Sequence, residues 1–145
     1  MPSTSTTLDV STTSRIPFEE IEGRSPGSVL IVEDEETVRT TVAKILGAMG
    51  FSVVVAVDGH DGVMKFTENP ELFRFVLLDL SMPKLDGVQV LTEIRRIAPR
   101  IRVVLMSGYG EREATARFSG KGLDGFIAKP FDIPTLRQAL KNALM

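Results

Sequence analysis

From Val29 onward the chain alternates short, β-branched apolar runs with segments of helical period, and it completes that alternation five times. No other feature constrains the fold so strongly. Val29, Leu30, Ile31 and Val32 make the first run. The segment 35–49 follows, with Val38, Val42, Ile45, Leu46 and Met49 on one helical face and Gly50 as its stop. The same pattern predicts a strand over 51–57, a short helix over 61–68, a strand over 75–80, a helix over 87–97 closed by Pro99, and a strand over 101–106. A polar, weak helix over 111–119, a short strand over 125–128 and a last helix over 133–144 complete the series. Strands that are apolar on both sides must be covered on both sides, so the fold class is α/β, a parallel sheet with helices on each face. Right-handed crossovers leave few topologies, and ligands of such sheets sit beyond the carboxyl ends of the strands.

Composition narrows the function. Residues 1–27 are rich in Ser, Thr, Pro and Gly, with Ile16, Phe18 and Ile21 as scattered apolar positions, and cannot bury enough surface to offset their ordering entropy. They are expected to be a polar tail or linker, and 28–145 the folded domain. A net charge of -2 and a pI near 5.5 give no basic footprint for direct nucleic-acid binding. There is no cysteine and a single histidine, His60, so neither a thiolate site nor a multi-histidine metal site is available. His60 is expected to be exposed near a helix start. No apolar run approaches the length of a membrane span, and the first residues resemble no signal peptide, so a soluble, cytoplasmic protein is expected.

The strand ends supply the chemistry. Glu33 and Asp34 follow the first strand, Asp79 and Ser81 the third, Ser107 and Gly108 the fourth, and Lys129 and Pro130 the fifth. Asp58 and Gly59, after the second, read as an ordinary turn. Two like charges ~4 Å apart cost on the order of 4 kcal/mol at an effective dielectric near 20, enough to recruit a cation. An all-oxygen cluster suits a hard ion, and Mg²⁺ is satisfied by one or two carboxylates with room left for a phosphate oxygen. Lys129 offers a positive point charge and Ser107 a hydroxyl donor. The set reads as a phosphoryl-transfer site with Asp79 as nucleophile. An acidic residue interrupting the apolar run from Phe75 to Leu80 would be expensive unless it had a function.

These motifs carry a family resemblance. Val29–Glu35, Leu77–Gly87 with its Asp79, Met82-Pro83 and Asp86-Gly87, Val104–Gly108, and Lys129-Pro130-Phe131 resemble, in that order, the receiver domains of response regulators and hybrid sensor kinases. The resemblance spans the chain from about Val29 to its end. It implies a flavodoxin-like fold with five parallel strands in the order 2-1-3-4-5. It further implies that Asp79 is the phosphoacceptor, that Glu33, Asp34 and Asp79 form the acidic pocket for Mg²⁺, and that the backbone carbonyl of Ser81 is a further ligand. Asp34 and Asp79 are the direct ligands implied. By the same resemblance Lys129 pairs with phosphoryl oxygens, Ser107 is the switch hydroxyl, Phe126 is the aromatic switch, and the Lys129-Pro130 bond is cis. The implied donor is a histidine kinase or a histidine phosphotransfer protein. The implied output is a downstream protein meeting the face made by the fourth helix, fifth strand and fifth helix, in a monomer or a weak, phosphorylation-dependent dimer.

Three positions depart from the commonest pattern: Glu33 stands where Asp is more usual, Phe126 where Tyr is, and Ser107 where Thr is. Blander readings stand beside the functional ones. Asp34 and Glu35 suit a helix N-terminus, Lys129 a solvated edge, Ser107 a turn, Phe126 plain core, and the Pro and Gly residues after Asp79 a loop-shaping role. Gly120, Gly122 and Gly125 match a dinucleotide fingerprint in spacing but fall between a helix and a strand, the reverse of its context. Arg95, Arg96, Arg100 and Arg102 read as a solvated surface or as partners of a helix C-terminus. Competing functions are a metal-dependent phosphatase or phosphotransferase using Asp79, which lacks spare sequence for a substrate-gripping cap, and a phosphorylation-independent interaction module. The chain stops within a turn of its last helix, which suggests a stand-alone regulator or the receiver piece of a larger protein. The polar lead-in and the sequence Met106-Ser107-Gly108-Tyr109 look like receivers of hybrid histidine kinases.

Overall fold

The computed structural model of the protein describes residues 27–80, 87–108 and 124–144. Five strands, β1 (Ser28–Val32), β2 (Ser52–Ala56), β3 (Phe73–Asp79), β4 (Arg102–Ser107) and β5 (Gly125–Ala128), form one parallel sheet in the order β2-β1-β3-β4-β5. The order implied by the resemblance is the one observed. The described helices are α1 (Glu36–Ala48), α2 (Gly59–Glu68), α3 (Gly87–Ile97) and α4 (Ile133–Leu144). The helix expected over 111–119, the tail over 1–26, and Ser81, Met82, Pro83, Asp86, Tyr109, Gly120 and Gly122 lie outside the described residues.

Side-chain alternation along the strands builds two cores, one on each face of the sheet. Val29, Ile31, Phe75, Leu77, Val104 and Met106 face one way and pack with Val42 and Leu46 of α1 and with Leu136 and Leu140 of α4. Their neighbours Leu30, Val32, Val76, Leu78, Val103 and Leu105 face the other way, against Phe66 of α2 and Val90, Leu91 and Ile94 of α3. Each large apolar side chain fully withdrawn from water contributes about 1.5–3 kcal/mol. The helices are therefore held by their apolar stripes more than by intrinsic propensity.

Two starts differ by two residues from the sequence pattern, for identifiable reasons. Asp58 and Gly59 are not a plain turn: Asp58 caps α2, its Oδ1 accepting the Asp61 N–H at 2.8 Å, and Gly59 is the first helical residue. Farther along α2, a Cβ on Gly62 would lie 2.8 Å from Val32 Cγ2, so the helix rests directly on β1. β3 begins at Phe73, two residues early, because a 3₁₀ turn over Pro70–Leu72 delivers the Phe73 ring onto Phe66 with centroids 5.6 Å apart. Arg74 breaks the apolar run there and hides the strand start from a pattern-based reading.

Two of the four clustered arginines serve element ends. Arg95 donates to the carbonyls of Pro99 and Ile101 just past α3 and reaches Asp124 Oδ2 at 3.4 Å. Arg102 Nη1 donates to the Ala143 carbonyl at 2.7 Å, near the end of α4. His60 is exposed in the first turn of α2, as expected. Among the described residues no helix is long and apolar enough to cross a membrane.

At the start of α4, Asp132 Oδ1 accepts the Thr135 N–H at 2.8 Å. Bonding to the Thr135 side chain and N–H holds the Asp132 carboxyl below its ordinary value of 3.8. A depressed carboxylate contributes stability that is present above 3.8 and lost as pH falls through the lower folded value. Acid unfolding of Asp132→Ala, followed by circular dichroism, should therefore show a smaller loss of stability below pH 3.8 than the native chain shows.

Candidate functional site

The sheet order places the site. β1 and β3 are neighbours although β2 intervenes in sequence, and connections leave them toward opposite faces, which opens a crevice at their carboxyl ends. Glu33 follows β1 and Asp79 ends β3, both continuing the alternation that faces α1 and α4. Lys129 follows β5 with the same parity as Ile127. With strands about 4.8 Å apart, β5 stands roughly 10 Å from β3. The long stem of a lysine bridges that gap.

Glu33, Asp34 and Asp79 each present a carboxylate oxygen, and these oxygens lie within 4.8 Å of one another. Glu33 is 0% exposed and Asp79 2%, while Asp34 is exposed at the rim. Lys129 Nζ lies 2.8 Å from Glu33 Oε1 and 3.4 Å from Asp79 Oδ1. Burial alone would lower the pKa of Lys129, but its close pairing with Glu33 and the charges of Asp79 and Glu33 outweigh that effect and raise it. The lysine is therefore a fixed cation at neutral pH. The Lys129 N–H donates to the Ser107 carbonyl at 2.7 Å, tying the end of β5 to the end of β4, and the Lys129-Pro130 bond is cis, as the resemblance implied. Ser107 is fully buried at the strand end. Phe126 is half-buried and packs on the core facing α2 and α3.

The blander reading of the acidic pair fails in one respect. Glu35 occupies the N-cap position of α1, yet its side chain makes no capping hydrogen bond. Glu33 Oε2 instead accepts the Glu35 N–H at 3.1 Å.

The donor set fits a hard divalent cation. The three carboxylates carry more negative charge than Lys129 neutralises, and Glu33 Oε1 is a buried acceptor that meets that ammonium at 2.8 Å without a hydrogen bond of directional geometry. Asp34, Asp79 and Glu33 can hold Mg²⁺, an ion that favours carboxylate oxygens and retains water. Ser81 lies outside the described residues, so its carbonyl stays an expectation from the resemblance.

Two residues that support the pocket were not singled out for such roles from the sequence. Arg39, in the first turns of α1, donates from Nη1 to the Glu33 carbonyl at 2.9 Å. A cation near a helix N-terminus runs against the helix dipole, and that mismatch is the signal that could have drawn notice. Gly87, read as loop-shaping, does more. A Cβ there would sit 3.0 Å from the Leu80 Cα and carbonyl oxygen and 3.1 Å from the Asp79 carbonyl oxygen. A side chain there would press on the backbone of the strand end that carries Asp79, so glycine eases this close start of α3.

With this geometry described, comparison with known proteins identifies the family. A profile of the response regulator receiver domain matches residues 29–141. The chain is 33% identical over 117 residues to sporulation initiation phosphotransferase F of Bacillus subtilis, covering 80% of this chain and 92% of that protein. It is 30% identical over 131 residues to the chemotaxis protein CheY of Treponema pallidum, covering 90% and 91%. The sensor kinase CckA of Brucella abortus is 32% identical over 117 residues, which are 81% of this chain and 12% of that kinase. Among solved structures, the CheX-CheY-BeF3-Mg²⁺ complex of Borrelia burgdorferi superposes with a TM-score of 0.80 at 28% identity, covering 86% of this chain and 94% of the matched one. A receiver domain protein of Clostridium thermocellum gives 0.75 at 30% identity, covering 81% and 94%. The chain belongs to the response regulator receiver family, a signalling domain of two-component systems and not a dedicated enzyme.

Two outcomes follow from the pocket. Mg²⁺ should raise the thermal unfolding midpoint by relieving carboxylate repulsion, and Asp34→Asn should remove most of that rise, as read by calorimetry with and without the ion. Gly87→Ala should destabilise the domain by about 1–3 kcal/mol, measured by urea unfolding, because the added methyl meets backbone that cannot rotate away.

Proposed function

We propose that this receiver accepts a phosphoryl group on Asp79 from a phosphohistidine of a histidine kinase or a histidine phosphotransfer protein. The observation that carries this reading is a buried carboxylate at a strand end, with two further carboxylates and one ammonium gathered around it. An Asp79 Oδ attacks phosphorus, the bond from phosphorus to the donor imidazole nitrogen breaks with its electron pair going to that nitrogen, and an acyl phosphate forms on Asp79. Mg²⁺, held by Asp34 and Asp79 with Glu33 beside them and the Ser81 carbonyl as a further ligand, would neutralise charge on the transferred oxygens. Lys129 binds the same oxygens from the β5 side, and the Ser107 hydroxyl donates to one of them. Water attack on phosphorus later returns Asp79 to its carboxylate and releases phosphate.

The acyl phosphate then biases a two-state element. Ser107 is drawn toward the phosphoryl group, Phe126 follows inward, and the face that includes β5 and α4 changes its fit to a downstream protein. This face engages no nucleic acid directly, and the domain works in the cytoplasm as a monomer or a weak dimer formed on phosphorylation. Residues 1–27 act as a linker ahead of the receiver domain at 28–145. The match to part of the sensor kinase CckA favours a second context, in which the receiver belongs to a hybrid histidine kinase.

Incubation with acetyl phosphate and Mg²⁺ should add one phosphoryl mass to the chain, and Asp79→Asn should abolish the addition. A mass increase that survives in Asp79→Asn refutes the acceptor. Chelation of the metal should slow the native reaction by at least about tenfold, the scale expected when a principal charge-neutralising group is withdrawn.

A further inference from the structure

Glu33 exceeds the aspartate more usual at its position by one methylene, and its surroundings give that methylene a consequence. The backbone of Glu33 is fixed on both sides. Its N–H donates to the Ala56 carbonyl at 3.1 Å, and its carbonyl accepts from Arg39 Nη1 at 2.9 Å. The reach of the carboxylate is then set by side-chain length. Oε2 folds back onto the Glu35 N–H at 3.1 Å, which fixes the rotamer, and Oε1 meets Lys129 Nζ at 2.8 Å. Asp79 Oδ1 shares the ammonium at a longer 3.4 Å. Lys129 thus bridges the two carboxylates but sits closer to Glu33 than to Asp79, in a pairing whose acidic partner is 0% exposed, where water competes poorly.

We propose that Glu33 is a positioning residue that holds the Lys129 ammonium back from Asp79 in the resting domain, so that an arriving phosphoryl group must draw the lysine off Glu33. The proposal builds on Asp79 as the phosphoacceptor, but it concerns where the lysine rests before any donor is present. On the same fixed backbone, a carboxylate one methylene shorter retreats by roughly 1.5 Å, a C–C bond length. That places it beyond ion-pair distance of Nζ, about 4 Å, while the charge of the pocket stays the same. The lysine then relaxes toward Asp79 and meets an incoming phosphoryl group already in place. Arg39 supports the hold from outside the pocket, by anchoring the carbonyl of the residue that exerts it.

The test uses the full 145-residue chain with Mg²⁺ and fluoroberyllate as the phosphoryl mimic. Fluorine NMR gives the affinity for the mimic, and nitrogen NMR of the Lys129 ammonium reports its partner in the mimic-free protein. Glu33→Asp should bind fluoroberyllate about three- to tenfold more tightly, a difference of up to about 1.4 kcal/mol. It should also move the Lys129 resonance before any mimic is added. A merely structural role for Glu33 would shift the unfolding midpoint without moving that resonance. Arg39→Gln leaves the pocket carboxylates intact and should move the Lys129 resonance in the same direction by less, so the proposal stays testable even if Glu33→Asp folds poorly. Unchanged or weaker mimic binding in folded Glu33→Asp overturns the hold, as does a Lys129 resonance that stays put in both variants. A moved resonance in a protein whose Asp79 never reacts with acetyl phosphate upholds the hold and overturns the phosphoacceptor reading alone.

Discussion

Lys129 is the charge on which the rest of the site depends. Two carboxylates, Glu33 and Asp79, are buried at the ends of adjacent strands, where a negative charge is expensive unless a cation pairs with it. An unpaired buried charge costs several kcal/mol, and removing one partner of such a group typically costs about 3–5 kcal/mol. The ammonium comes from the residue just after β5, a strand of four residues that among the described residues pairs with β4 alone. The Lys129 N–H on the Ser107 carbonyl extends that pairing by one hydrogen bond, past the last strand residue. Placement of β5 and neutralisation of the pocket are thus one structural event.

The strand order explains why chemistry collects at this edge. Because β1 and β3 lie side by side at the centre of the sheet, the residues after β1 and at the end of β3 share one crevice without help from any loop. Gly87 allows α3 to begin against the Leu80 carbonyl, to which its own N–H donates at 3.3 Å, so the backbone carrying Asp79 is buttressed from below. Arg39 does the same for Glu33 from the α1 side. Both supports act on backbone atoms. Their effect on the side chains is indirect, which is why neither stands out as chemistry in a list of residues.

Much of this was legible beforehand, and the parts that were not share a cause. The alternation of apolar runs and helical stripes marks all five strands and the four described helices, with errors at the starts of α2 and β3. Those errors arise where a polar residue has a local task, as at Asp58, or where an arginine interrupts a buried strand, as at Arg74. The acidic residues and Lys129 were legible because charged groups at the ends of buried strands conflict with their surroundings. Arg39 was overlooked because its partner is a backbone carbonyl six residues away, and a carbonyl has no signature in sequence.

By itself, the sequence determined which side chains would be buried and which charges would have to find one another, because periodicity and hydrophobicity act residue by residue along the chain. It also carried the motifs that mark the family. Only the tertiary structure decided how the ammonium is shared, at 2.8 Å from Glu33 and 3.4 Å from Asp79. Those distances follow from the strand order, the length of one side chain and the fixing of the Glu33 backbone by Ala56 and Arg39. The side-chain length is written at Glu33 itself, but the strand order and the hold on the Glu33 backbone are relations between separate segments, and no local pattern encodes them.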